Sequence, residues 1–211
     1  MSDGRHFQEA AFAGSVARMA QLPADEGIEI AFAGRSNAGK SSALNALAGQ
    51  RGLARTSKTP GRTQLINLFD IGPSRRLVDL PGYGYARVDR ETRDRWTELL
   101  TAYLARRRAL RGLVLVVDIR RGLSELDWRL LELVVPRGVE PHLLLTKADK
   151  LGRGQAGKML DRVRAELEQA GVEATLQTFS STHGRGIDDL RGLLDSWFTP
   201  GDGGEVQPGA Q

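Results

Sequence analysis

The octapeptide Gly34-Arg35-Ser36-Asn37-Ala38-Gly39-Lys40-Ser41 fits the pattern G-x-x-x-x-G-K-[ST]. The apolar run Ile28-Glu29-Ile30-Ala31-Phe32-Ala33 in front of it reads as a buried strand, and Ser42 to Ala48 behind it as a helix. A strand, a glycine-bounded turn and a helix are what a phosphate-binding loop requires. Glycines at both ends let the backbone wrap closely round a phosphate and aim successive N–H groups at it, and the helix N-terminus adds partial positive charge. Lys40 is placed to bridge outer phosphates, facing solvent or ligand rather than core, and the Ser41 hydroxyl to ligate Mg²⁺. Eight residues can match such a pattern by chance, so their weight depends on the rest of the chain.

Gly49 to about Gln64 shows neither helical nor strand periodicity and carries Gly52, Pro60 and Gly61 among basic residues. So long a loop is functional or mobile as a rule. In a nucleotide switch it would hold a threonine that closes onto the metal, with Thr56, Thr59 and Thr63 as candidates. Leu65 to Ile71 and Arg76 to Leu80 read as strands, and the short Gly72-Pro73-Ser74 connection makes them antiparallel. The second ends in Asp79-Leu80-Pro81-Gly82. There Asp79 can hold Mg²⁺ through water and the Gly82 N–H can meet a terminal phosphate. An ordinary turn uses the same residue types; the position at a strand's end favours the functional reading.

Helices and strands then alternate. Trp96, Leu99, Leu100, Tyr103 and Leu104 mark a helix from about 89 to 108, Leu113 to Val117 a strand, and Leu126, Leu130, Leu131 and Val134 a helix. His142 to Leu145 is the next strand, Met159, Leu160, Val163 and Leu167 mark a helix, Ala174 to Phe179 a strand, and Ile187 to Trp197 the last helix. The pattern predicts one α/β domain over 28–198, with a six-stranded mostly parallel sheet, one antiparallel strand, helices on both faces and ligands at the strands' C-terminal ends. Residues 1–27 read as a weakly patterned extension in which Phe7, Ala10, Ala11 and Phe12 pack on the domain edge, and 199–211 as a disordered tail.

Thr146-Lys147-Ala148-Asp149, after one strand, decides the base. An ionised Asp accepts two hydrogen bonds and guanine offers N1–H and an exocyclic NH₂ side by side, whereas adenine offers an acceptor at N1. GTP or GDP is therefore the expected ligand. Lys147 can lay its stem along the ring, and Ser180-Ser181, after Phe179, can offer a backbone N–H to the guanine oxygen.

Composition bounds the alternatives. The 211 residues contain no cysteine, which excludes disulfides, thiolate metal sites and a Cys nucleophile. No apolar run reaches the roughly 18 residues of a membrane span, and the N-terminus lacks a long apolar segment, so a cytoplasmic protein with no membrane role is expected. The net charge is only +4, but Arg35, Lys40, Arg51, Arg55, Lys58 and Arg62 fall in a window without acids, and Arg106, Arg107, Arg108 and Arg111 form a second cluster. Either can contact nucleic-acid phosphates, and the second can equally complement a helix C-terminus.

Taken together, Ala31 to Ser42, Lys58-Thr59-Pro60-Gly61-Arg62-Thr63-Gln64, Asp79-Leu80-Pro81-Gly82-Tyr83-Gly84-Tyr85-Ala86, Thr146 to Asp149 and Phe179-Ser180-Ser181 resemble the EngB family of bacterial ribosome-assembly GTPases. The resemblance implies Thr63 as the switch threonine on Mg²⁺ beside Ser41. It also implies a nucleotide site drawn from 34–41, from Gly61, Arg62, Thr63, Gln64 and Leu65, from Asp79, Leu80, Pro81 and Gly82, and from the two base-reading loops. Lys40, Thr63 and Gly82 would act in catalysis. The partner it implies is the large ribosomal subunit or its precursor, engaged by a monomer, with a role in normal septation and cell division. A regulator of division acting through a protein partner, and an RNA-binding protein with structural nucleotide, are the rival readings.

Tyr83 stands where Ras-like GTPases place a water-orienting Gln, and a phenol cannot serve a water as an amide does. Slow intrinsic hydrolysis is expected, with a partner, or K⁺ held partly by Asn37, supplying what is missing.

Overall fold

Alternate residues of β2 (Ile28–Gly34) enter different apolar layers: Ile30 and Phe32 join one, Ala31 and Ala33 the other, all fully buried. Such burial on both faces identifies the central strand of a covered sheet. The computed structural model describes residues 5–54, 65–84 and 90–199. Thr56, Thr59 and the Gly61-Arg62-Thr63-Gln64 part of the expected site, like the tail from 200 on, lie outside the described residues.

Around β2 stand β1 (Ala11–Val16), β3 (Ile66–Asp70), β4 (Arg75–Asp79), β5 (Leu110–Asp118), β6 (Glu140–Thr146) and β7 (Thr175–Thr178), in the order β1-β3-β4-β2-β5-β6-β7. β2, β4, β5, β6 and β7 are parallel, and β3 runs against both its neighbours. The sheet therefore has one antiparallel strand, as expected, but seven strands rather than six. The additional strand is β1, inside the stretch read as an extension. Its Ala-Phe-Ala-Gly-Ser-Val composition has weak β-propensity, and as an edge strand with most residues exposed it shows no apolar alternation. Phe7 and Ala10 are buried, whereas Phe12 is 59% exposed and only meets the edge of Phe69, centroids 6.0 Å apart.

Helices α2 (Arg90–Arg106), α3 (Glu125–Val134) and α4 (Arg153–Gln169) cover one face, and α1 (Lys40–Ala48) and α5 (Ile187–Phe198) the other. Their inward stripes are the spaced apolar residues of the sequence, Leu130, Leu131 and Val134 in α3 and Leu190, Leu194 and Trp197 in α5. Truncating a core side chain such as Phe32 would cost about 3–5 kcal/mol, because the hole left behind fills only partly.

In the second arginine cluster Arg106 stands in the last turn of α2, as one of the two readings expects, and its neighbours take a further role. Arg107 is buried and donates from Nε and Nη2 to Glu29, at 2.9 and 2.7 Å, and to the carbonyls of Pro23 and Ala24. Tyr103 and Arg76 also donate to Glu29, which is fully buried. Arg108 pairs with Asp25 and Arg111 with Glu140. These charges brace the sheet end opposite the phosphate loop, and Arg107 presents nothing to a nucleic acid.

Candidate functional site

Residues 34–41 connect β2 to α1. At Gly34 a Cβ would fall 2.5 Å from the Val116 carbonyl, so no other residue lets β5 approach so closely. Gly39 has φ 106°, in the left-handed region, and caps α1 without a side chain, leaving the first amides of the helix turned to the loop. Asn37, with φ 63°, completes the curve. This concave set of N–H groups can hold phosphates.

Lys40 is not directed to solvent. It is buried and its Nζ pairs with Asp79 Oδ1 at the end of β4, while Asp79 Oδ2 accepts from Asn67 Nδ2 at 3.2 Å. The expectation of a lysine free of the core is corrected: α1 starts so close to β4 that the ammonium reaches the strand-end carboxylate. A nucleotide would have to draw Lys40 off Asp79. Ser41 is partly buried at the same helix start. Among the described residues no group of three His, Cys, Asp or Glu could hold a metal. A hard cation at Ser41 and Asp79 would therefore draw on phosphate oxygens and water, which suits Mg²⁺.

Leu80, Pro81 and Gly82 lead from β4 to the phosphate loop. A Cβ on Gly82 would sit 3.5 Å from Ser36 Cα, and the next residue forms a bridge: Ser36 N donates to Tyr83 O at 2.8 Å. The Tyr83 hydroxyl donates to Asp127 Oδ1 of α3 at 2.5 Å. Burial, and then the Asp127 carboxylate, hold its pKa well above that of an ordinary phenol. Tyr83 thus fastens this loop to α3, with its hydroxyl proton given to Asp127.

The loops expected to read the base follow β6 and β7. Ala148 N donates to Phe179 O at 3.1 Å, bringing the two together. A cavity of ≈ 210 Å³ is lined by Gly39, Thr146, Lys147, Asp149, Phe179 and Ser181, among others. Ser180 Oγ donates to Asp149 Oδ1 at 2.7 Å, and that bond holds the Asp149 carboxyl below the usual range, ionised and able to accept from guanine. The Ser180 amide is not available to the base, because it donates to Arg185 O at 3.1 Å; only Ser181 of the pair remains as a candidate donor.

One residue was missed. Asp118, at the end of β5, accepts from Lys147 Nζ at 2.9 Å and from Arg120 at 2.7 Å. Burial raises its pKa, but the bonds from Arg120 and Lys147 outweigh it and leave the group far below the ordinary range. The same Lys147 Nζ donates to Asn37 O, and the Thr146 hydroxyl lies 2.5 Å from Ala38 O. A carboxylate directly after the apolar run 113–117, placed as Asp79 is after its strand, was the available signal.

Residues 29–147, which span the phosphate loop, the Asp79 loop and the start of the base loop, match the family of 50S ribosome-binding GTPases. "Probable GTP-binding protein EngB" of Coxiella burnetii (strain CbuG_Q212) is 53% identical over 192 residues, 91% of this chain and 94% of the relative. The protein of that name from Shigella flexneri is 49% identical over 203 residues, 96% and 94% of the two chains. The chain belongs to the EngB family of P-loop GTPases. Among solved structures, a probable GTP-binding protein engB superposes with a TM-score of 0.65 at 22% identity, over 81% of this chain and 98% of that one. Era in complex with MgGDPNP and a 16S ribosomal RNA segment gives 0.64 at 18%, over 87% and 60%. These two likenesses carry the fold alone. No helix among the described residues is long and apolar enough to cross a membrane.

Proposed function

We propose that this GTPase works as a switch in assembly of the large ribosomal subunit, binding there in its GTP form and leaving after hydrolysis. The observation that carries the reading is the convergence of a phosphate cradle and an ionised base-reading carboxylate at one end of the sheet, joined by Lys147. The ribosomal half rests on the family match and on resemblance, and the role in septation and cell division on resemblance alone.

In this reading residues 34–41 hold the phosphates, Lys40 exchanges Asp79 for the outer phosphates, Gly82 meets the terminal phosphate, and Asp149 with Ser181 reads guanine. Thr63 would join Ser41 at the metal. Mg²⁺ supplies charge neutralisation between the outer phosphates when bound. Because Tyr83 is tied to Asp127, hydrolysis needs help from outside that side chain, from a ribosomal partner or from K⁺ near Asn37. Equal GTP turnover in K⁺ and Na⁺ buffers would remove the cation from the scheme.

The test of the whole is sedimentation with large-subunit particles. Association at least about tenfold stronger with a non-hydrolysable GTP analogue than with GDP, about 1.4 kcal/mol, is expected. Equal association would make the nucleotide merely structural, and no association would leave a protein partner in division as the better reading.

A further inference from the structure

On the far side of the phosphate loop lies a second cavity, of ≈ 230 Å³, walled by the phosphate loop, the end of β5, the 120–122 turn, Gly84 and Asp127. At about 30 Å³ per water it has room for a tetrahedral anion and part of its hydration. Among the described residues Arg35, Arg120, Arg121 and Lys147 line it against two carboxylates, Asp118 and Asp127.

Both carboxylates are already engaged. Asp118 accepts from Arg120 and Lys147, and Asp127 from the Tyr83 hydroxyl and from the amide and hydroxyl of Ser124. Arg35 is left over. It is half-buried, its side chain runs beside Gly84, where a Cβ would come within 3.3 Å of Nε, and it makes no ion pair among the described residues. A weakly hydrated guanidinium with no ion pair among the described residues, at a positively charged cavity, is the complement of an oxyanion.

We infer that this cavity is an anion site, distinct from the nucleotide's phosphate cradle, which takes a phosphate or phosphodiester group on Arg35 with Arg121 at its rim. Asp118 and Asp127 do not repel the occupant decisively, since one already has two cations and the other is capped by hydroxyl and amide donors. Because Ser36 and Gly84 form part of its wall, an occupant touches both the phosphate loop and the loop that follows Asp79.

The test is equilibrium dialysis of radiolabelled orthophosphate against the full chain saturated with Mg²⁺ and a non-hydrolysable GTP analogue, which fills the phosphate cradle. Saturable binding is expected, weakened about tenfold by Arg35→Gln and about threefold by Arg121→Gln, as loss of charge-assisted donors implies. Displacement of the label by a short single-stranded RNA would identify a phosphodiester as the natural occupant, and its failure a free oxyanion. Absence of saturable binding, or binding that both variants leave unchanged, would overturn the inference. If Arg35→Gln does not fold, Arg121→Gln still decides. If the analogue itself does not bind, the nucleotide reading fails, and the same two variants decide the cavity in nucleotide-free protein.

Discussion

Lys147 Nζ lies 2.5 Å from the carbonyl oxygen of Asn37, so one side chain ties the loop after β6 to the phosphate loop. Lys147 itself sits at φ 60°, a conformation non-glycine residues seldom adopt. The bond, with the Asp118 contact, compensates that cost and holds the loop after β6 against the phosphate loop.

Asp118 is the group that keeps Lys147 in place. Asp118→Asn removes the charge while keeping the shape, taking from Lys147 and Arg120 the carboxylate both donate to. GDP affinity should fall about tenfold, about 1.4 kcal/mol, with the fold retained. Titration calorimetry with circular dichroism checks both, and unchanged affinity would mean that the Asn37 bond alone positions the lysine.

Lys40 and Asp79 are a buried pair, and their separation has a cost in the nucleotide-free protein. Lys40→Ala leaves the Asp79 carboxylate, among the described residues, with Asn67 alone and should destabilise the apo fold by about 3 kcal/mol, beyond abolishing tight nucleotide binding. The double variant Lys40→Met, Asp79→Leu should regain most of the stability without the binding. Urea denaturation decides; a stable single variant would mean that Asp79 is reached by water.

His142 predicts a pH dependence. Burial holds its pKa at about 4 in the folded chain, against 6.5 for an ordinary histidine, with Nδ1 2.8 Å from Thr175 Oγ1. The unfolded chain therefore binds a proton first as pH falls. Stability should be level above about pH 7, decline between 6.5 and 4, and lose about 3 kcal/mol in total from this group. The depressed carboxyls of Asp118 and Asp149 add their losses only at lower pH. His142→Gln should flatten the profile between pH 6.5 and 4.5, as urea midpoints across that range would show.

What could be read in the chain was local. The strand-loop-helix of residues 28–48, the antiparallel β3–β4 pair and the Thr146-Lys147-Ala148-Asp149 loop each carry their signal within a few neighbouring residues. The rest depends on partners far along the chain. Arg107 meets Glu29 across 78 positions and Tyr83 meets Asp127 across 44, and neither distance has a sequence signature. β1 was hidden because an exposed edge strand of small residues needs no apolar alternation. Lys40 was misread because the contact with Asp79 is set by how α1 packs beside β4.

The account turns on Asp149 as the reader of the base, and calorimetry on the Asp149→Asn variant tests that most directly. Wild-type chain should bind GDP with Mg²⁺ and reject ADP, by a factor of up to about 10⁴. The variant should lose GDP and gain xanthosine diphosphate, whose extra carbonyl accepts from the new amide. GDP affinity unchanged by the substitution would place the base elsewhere and contradict the site as described.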